Sequence, residues 1–158
     1  MPLDRQWIEQ HIPHKGRMCL LDEVLSWDAI HIRCRSVSHR SPDNPLRAYG
    51  RLGAACGIEY AAQAMAVHGA LVAASAPLTS TLSVGVRRST VPAVGYLASV
   101  RNVALHVVRL DDLHEDLIAA AERVMGDGST VVYDFSVLSA QQTLLSGRAS
   151  IVVTGSPS

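Results

Sequence analysis

The chain has 158 residues, of which 14 are basic and 14 acidic, so its formal net charge at pH 7 is zero. This balance gives no indication of a nucleic-acid or membrane-surface partner. Apolar residues make up 48% and charged residues 18%, which argues against disorder. At this length we expect one domain, residues 1–158. Three scattered cysteines and an N-terminus without a signal-peptide pattern favour a cytoplasmic protein with free thiols.

The first third of the chain predicts a short helix, two strands and a loop. Residues 3–11 form the helix, which Pro13 ends. Residues 17–28 and 30–38 are the two strands, and the second alternates its side chains with the period of a half-exposed strand. Residues 39–50 contain two prolines as well as Asp, Asn and Gly, which indicates a loop.

A long Ala-rich helix is predicted next, at about 51–75. Residues 52–76 contain no Lys, Arg or Asp, and this length is enough to cross a bilayer. However, the segment is mostly Ala and Gly and carries three polar residues, Glu59, Gln63 and His68. We therefore predict a core helix rather than a membrane span. His68 lies on the face opposite Glu59 and is expected to be a hydrogen-bonded core histidine.

The rest of the chain predicts an antiparallel sheet. Its expected strands are 80–88, 95–109, 115–126, 129–139 and 144–154. A hairpin turn is predicted at 126–129 and a solvated acidic connection at 111–116. One apolar helix and a long sheet suggest that the sheet wraps around the helix, which is an α+β arrangement.

Two segments resemble a known family of enzymes. The segments "IPHKGRMCLLDEVLSWD" (12–28) and "GIEYAAQAM" (57–65) resemble the FabA/FabZ-type 3-hydroxyacyl-ACP dehydratases, in which a Pro-His turn precedes an apolar strand and a helix carries a Glu followed four residues later by Gln. With "NPLRAYGRL" (44–52) before the helix, the sequence is most similar to the dehydratase-like hotdog proteins of aryl-polyene and related polyene clusters.

This resemblance implies a single hotdog domain in which a long antiparallel sheet wraps around one helix. It further implies a homodimer, or a heterodimer with another hotdog dehydratase, with active sites at the subunit interface. The substrate would be an acyl chain that enters a tunnel beside the helix. Because that chain arrives on the phosphopantetheine of an acyl carrier protein, we expect no cofactor bound to the protein itself.

The chemistry of dehydration assigns a role to Glu59. The reaction removes a proton from C2 of the acyl thioester and protonates the departing C3 hydroxyl, so it needs an acid and a base. Burial among small apolar neighbours would keep a useful fraction of Glu59 protonated as the acid, with Gln63 orienting Glu59 or the substrate. Backbone amides around Gly53 and Ala54 are candidates to bind the thioester oxygen. The alternative is a structural Glu59 paired with an arginine across the interface.

The base is less evident, because the family's loop histidine, fourteen residues before the acid, is replaced here by Pro45. We favour His14 in the Pro-His turn as the base, although this turn also has the simpler interpretation of shaping the tunnel wall. Otherwise His39 folds back over the site, Asn44 holds a water or the substrate carbonyl, or the site does not dehydrate. No histidine pair has metal-ligand spacing with a third ligand, so no metal is expected.

Arginines near the tunnel mouth are expected to bind the acidic carrier or the phosphopantetheine phosphate. The candidates are Arg47, Arg51, Arg87 and Arg88. The leading function is dehydration of 3-hydroxyacyl-ACP to a trans-2-enoyl thioester. Two alternatives stay open: a hotdog acyl thioesterase that uses a helix carboxylate and water, and a non-catalytic subunit that binds the carrier or dimerises with an active dehydratase.

Overall fold

The computed structural model describes residues 2–75, 94–127 and 129–154. In these ranges the chain forms two α-helices, α1 (Arg5–His11) and α2 (Gly57–Ala74). The strands are β1 (Glu23–Trp27), β2 (His31–Ser36), β3 (Val94–Leu105), β4 (Leu117–Gly126), β5 (Thr130–Ser139) and β6 (Gln142–Thr154). The predicted strand at 80–88 lies outside the described residues.

The six strands form one antiparallel sheet in the order β1-β2-β4-β5-β6-β3. Helix α2 packs across β2, β4 and β5, in the middle of this sheet. Along β5 the side chains alternate between buried and half-buried, so one face of the sheet meets the helix. The arrangement is the predicted α+β architecture of the hotdog fold. No helix in the described ranges is long and apolar enough to span a membrane.

Two predicted boundaries differ from the structure by more than the others do. The helix predicted from about residue 51 begins at Gly57, after a short 3-10 turn, because the preceding residues pair with another segment. The Ala54 amide donates to the Val108 carbonyl at 3.0 Å, and the Leu110 amide donates to the Leu52 carbonyl at 2.8 Å. Similarly, the strand predicted from residue 17 begins six residues later, after a 3-10 turn at Gly16–Met18.

The sequence predicts a solvated turn for the acidic connection at 111–116, but in the structure this connection is partly buried and paired. The side chain of Asp111 is only 6% exposed, and its Oδ1 accepts from the Leu52 amide at 2.9 Å. A hydrogen bond from Arg109 holds the pKa of this carboxyl well below its usual range. Asp116 pairs with Arg35 and Arg40. Through Asp111, the connection therefore holds Leu52, in the segment that precedes α2.

Gly57 lies where α2 comes very close to β6. A Cβ at this position would overlap the buried side chain of Leu145, whereas a Cβ at Gly69 would meet nothing within 4 Å. We expect Gly57→Ala to lower the free energy of unfolding by about 1–3 kcal/mol, because overpacking displaces Leu145. Gly69→Ala is the matched control and should raise it by about 0.5–1 kcal/mol. Urea denaturation measures both, and equal effects would contradict the close approach at Gly57.

Candidate functional site

The two residues predicted to be acid and base lie in contact. His14 Nε2 is 3.2 Å from Glu59 Oε1, and both residues belong to the same chain. Glu59 is in the first turn of α2. His14 follows the end of α1 at His11, where the C-cap residue Ile12 is buried and extended. The side chains of His14 and Glu59 are 28% and 36% exposed, so the pair is accessible from outside.

Within the single chain, Glu59 is half-exposed and lacks the burial among apolar neighbours that the sequence suggested. One side of α2 faces away from the core and is half-buried or exposed along its whole length. This small-residue stripe starts at Ala55, in the 3-10 turn before α2, and continues along α2 with Glu59, Ala62, Ala66, Gly69 and Ala73. Its spacing of three and four residues is that of one helix face. Glu59 is therefore the one polar side chain in a row of Ala and Gly.

Gln63 has different contacts from those predicted. It is fully buried, and its Nε2 donates to the Met18 carbonyl at 2.7 Å while its Oε1 accepts from the Leu20 amide at 2.9 Å. Its amide thus binds the backbone that follows the Pro-His turn rather than Glu59 or an open substrate position.

The polar side-chain atoms of Asn44 are also hydrogen-bonded within the protein. Its Nδ2 donates to the Ser38 carbonyl at 2.9 Å and to the Tyr60 hydroxyl at 3.0 Å, and its Oδ1 accepts from the Leu46 amide at 2.9 Å. With 6% of its surface exposed, Asn44 is a buried part of the loop and is not placed to hold a water for hydrolysis. Tyr60, whose pKa is raised by burial, was not singled out from the sequence.

His39 does not fold back over Glu59. It is fully buried, and its Nε2 donates to the Leu113 carbonyl at 3.1 Å. Burial lowers its pKa, which keeps the imidazole neutral. In the described part of the chain, His14 is the only histidine within ion-pair distance of Glu59. The geometry thus leaves His14 as the better candidate for the base.

The backbone amides before α2 are not equivalent. The Ala54 amide is used in the bond to Val108, so it is not free to bind a substrate oxygen. Gly53 pairs with Arg109 in an antiparallel bridge whose hydrogen bonds are made by its neighbours. Within the described residues the Gly53 amide has no partner, and the space around its Cα is open. Gly53 therefore stays a candidate, and Ala54 does not.

The predicted carrier-binding arginines also differ in their surroundings. Arg47 donates to the backbone carbonyls of Ser41, His39 and Gly50, so it stabilises the loop. Arg51 is exposed, and no side-chain hydrogen bond or ion pair of its own occurs among the described residues. Arg87 and Arg88 lie outside the described residues.

His68 is the hydrogen-bonded core histidine that the sequence predicted. It is fully buried, its Nε2 donates to the Asp28 carbonyl at 2.8 Å, and its Nδ1 accepts from the Tyr133 hydroxyl at 2.8 Å. Burial lowers its pKa, so it is neutral in the folded protein.

The two buried histidines, His39 and His68, predict a loss of stability in weak acid. Their folded-state pKa values lie below the ordinary value of about 6.5, so the unfolded chain binds more protons as the pH falls below that value. Stability is full above about pH 6.5 and falls below it. Urea unfolding on either side of this pH should show that His68→Gln weakens the dependence. The exposed His106→Gln is the control, and an unchanged slope in His68→Gln would contradict the assignment.

One known protein family and several solved structures are similar to this chain. The model of the ApeP-like family, described as ApeP dehydratase, matches residues 6–157. No curated protein matches. Among solved structures, the dehydratase heterocomplex ApeI:P from Xenorhabdus doucetiae is similar with a TM-score of 0.72 and 19% identity, over 98% of this chain and 92% of that chain.

Two thioesterase structures are similar at lower scores. A mutant thioesterase from Pseudomonas aeruginosa has a TM-score of 0.55 and 14% identity, over 84% of this chain and 80% of that chain. A hypothetical thioesterase with coenzyme A from Streptococcus pneumoniae has a TM-score of 0.52 and 17% identity, over 86% and 88%. At these identities the structures show a shared hotdog fold. The family model covers nearly the whole sequence, and the chain belongs to the ApeP-like dehydratase family.

Proposed function

We propose that the protein dehydrates a 3-hydroxyacyl thioester carried on acyl carrier protein and produces a trans-2-enoyl thioester. The observation that carries this proposal is the 3.2 Å contact between His14 Nε2 and Glu59 Oε1. C2 and C3 of the substrate are neighbouring carbons, so a base and an acid that serve them must lie close together. Membership of a dehydratase family supports the same reaction class.

In the proposed reaction, neutral His14 takes the proton from C2 through Nε2. The electrons of the C2–H bond form the double bond between C2 and C3, the C3–O bond breaks, and the hydroxyl leaves as water with the proton of Glu59. His14 is then protonated and Glu59 ionised. Because the two side chains are in contact, the proton returns from Nε2 to Oε1, and the pair is ready for the next substrate.

The other parts of the substrate have candidate contacts on the residues that lead into α2 and along its exposed side. The free Gly53 amide is suited to bind the thioester oxygen, on which negative charge develops when C2 loses its proton. The small-residue stripe leaves room for an acyl chain beside α2, and the surroundings of Gly69 are open. The exposed Arg51 has a charge available for the phosphopantetheine phosphate or the acidic carrier.

We also propose that the protein works with a second hotdog subunit. Strand β3 lies at the end of the described sheet and exposes Tyr96, Leu97 and Leu105, which are 58%, 40% and 49% accessible. Apolar side chains at a strand edge favour pairing with another chain. The similar ApeI:P structure is a heterocomplex, which supports a partner of the same fold. Native mass spectrometry with and without another hotdog dehydratase distinguishes a homodimer from a heterodimer.

The test is to incubate the purified protein with a 3-hydroxyacyl carrier, alone and with the second subunit, and to follow the mass of the carrier. Loss of one water supports the dehydratase. Release of free holo-carrier would instead identify a thioesterase, for which the occupied Asn44 offers no obvious water site. An unchanged carrier in both samples would contradict an enzymatic role and favour a non-catalytic subunit.

A further inference from the structure

The imidazole of His14 has an unusual environment for a catalytic base. Its Nε2 contacts Glu59, but its Nδ1 is buried and has no hydrogen-bond partner in the described part of the chain. A catalytic histidine is commonly oriented by a group bonded to its second nitrogen. Since that group is lacking among the described residues, the orientation of His14 depends on how its backbone is held.

The backbone that follows His14 is held by Gln63, at Met18 and Leu20, and by Arg5, whose Nη2 donates to the Gly16 carbonyl at 2.8 Å. The segment that carries His14 runs along the face of α2 on which Glu59 and Gln63 lie one helical turn apart. Glu59 meets His14, and four residues further along both segments Gln63 meets Met18. The buried Gln63 side chain also accepts from the Leu20 amide. It thus pairs one backbone carbonyl and one backbone amide of this segment, as the backbone of an adjacent strand would do in a sheet.

The backbone carbonyl of Leu20 is hydrogen-bonded as well. Its carbonyl accepts from the hydroxyls of Ser36 at 2.5 Å and Ser38 at 2.8 Å. The Ser38 hydroxyl is itself hydrogen-bonded to the Tyr60 hydroxyl at 2.8 Å, and Tyr60 belongs to α2. A buried network of this kind, with its members paired, fixes the segment in one register along the helix.

We propose that Gln63 is a positioning residue that holds His14 in register with Glu59 through the backbone of Met18 and Leu20. The two bonds of Gln63 to the backbone of Met18 and Leu20 hold whatever the protein does, whereas their consequence for catalysis rests on the proposed function. Loss of the two bonds would leave buried backbone groups unpaired and free the segment to shift. A displacement of about 1 Å is enough to slow a reaction about a hundredfold.

Three variants test the proposal. Gln63→Met has a similar size but makes neither bond. Gln63→Glu offers one donor and one acceptor when its carboxyl is protonated, as Gln63 does here, and only acceptors when it is ionised. Tyr133→Phe is the matched control: it removes one buried hydrogen bond to His68 on α2 and leaves the Glu59 face unchanged.

The first measurement is the NMR signal of the His14 ring, assigned with His14→Ala and compared with Glu59→Gln, in which an amide replaces the carboxyl group that contacts Nε2. We expect Gln63→Met to move the His14 signals toward those of Glu59→Gln and Tyr133→Phe to leave them in place. In Gln63→Glu they should match the unsubstituted protein at acidic pH and depart from it as the pH rises, because ionisation removes the donor to Met18. Unchanged His14 signals in Gln63→Met would overturn the proposal.

The second measurement is dehydration by the same variants. Gln63→Met should lower kcat about a hundredfold with a small change in KM, and Tyr133→Phe should not. If the unsubstituted protein does not dehydrate its substrate, the proposed function fails while the NMR result still decides the role of Gln63. If the NMR signals move but kcat is the same as before, Gln63 positions His14 without consequence for the reaction, and its catalytic role is refuted.

Discussion

Glu59→Gln is expected to lower kcat for dehydration by about 10²–10⁴-fold, because the amide cannot give a proton to the departing C3 hydroxyl. The change keeps the size of the side chain, and Glu59 is 36% exposed, so the free energy of unfolding should change by less than about 0.5 kcal/mol. KM should stay nearly the same, since the lost interaction belongs to the transition state. Steady-state rates with a 3-hydroxyacyl carrier measure the effect.

Glu122→Gln is the control for this variant. Glu122 is exposed and also lies near a histidine, His31, at 3.7 Å, but on the surface of the sheet. It should leave kcat unchanged. A Glu59→Gln protein that is folded and dehydrates at the rate of the unsubstituted protein would remove Glu59 from the mechanism and return it to the structural role considered from the sequence.

His14→Ala should be similarly damaging, with a fall in kcat of about 10²–10⁴-fold, because no base then reaches C2. The most specific measurement is the exchange of the C2 hydrogen with deuterated water, which reports the proton transfer itself. We expect this exchange to be lost in His14→Ala and to be partly restored by added imidazole, which can enter the vacated space beside the half-exposed Glu59.

His31→Ala, which removes an exposed histidine of the Asp28 and Glu122 cluster, is the control for this second prediction. If His14→Ala still exchanged C2 hydrogen at the original rate, the base would have to come from elsewhere. A histidine of the second subunit would then be the next candidate, tested by adding that subunit with its own histidines replaced.

The contact between His14 and Glu59 could be expected from the sequence only through the Pro-His and helix motifs together. The two residues are far apart in the chain, and neither the period of the helix nor the composition brings them together. The helix, the strands and the buried His68 followed from local patterns, because those patterns report which side of an element meets the core.

The roles of Gln63, Asn44 and Ala54 could not be predicted in the same way. Each is a residue type that commonly serves a substrate, and each is instead satisfied by backbone or side-chain groups distant in sequence. Whether a buried amide is free depends on the tertiary contacts of its own atoms, and a pattern of residue types does not contain them. The half-exposed position of Glu59 was missed for a related reason: a row of Ala and Gly fits a buried face and an open one equally well.

The most direct test of the account is a double-mutant cycle on kcat/KM with the unsubstituted protein, Glu59→Gln, His14→Ala and the double variant. If the two side chains act as one acid–base pair, the double variant should be about as slow as the slower single variant, because either group alone has lost the partner that restores its proton. Effects that multiply in the double variant would show that His14 and Glu59 act independently, and would contradict the shared site proposed here.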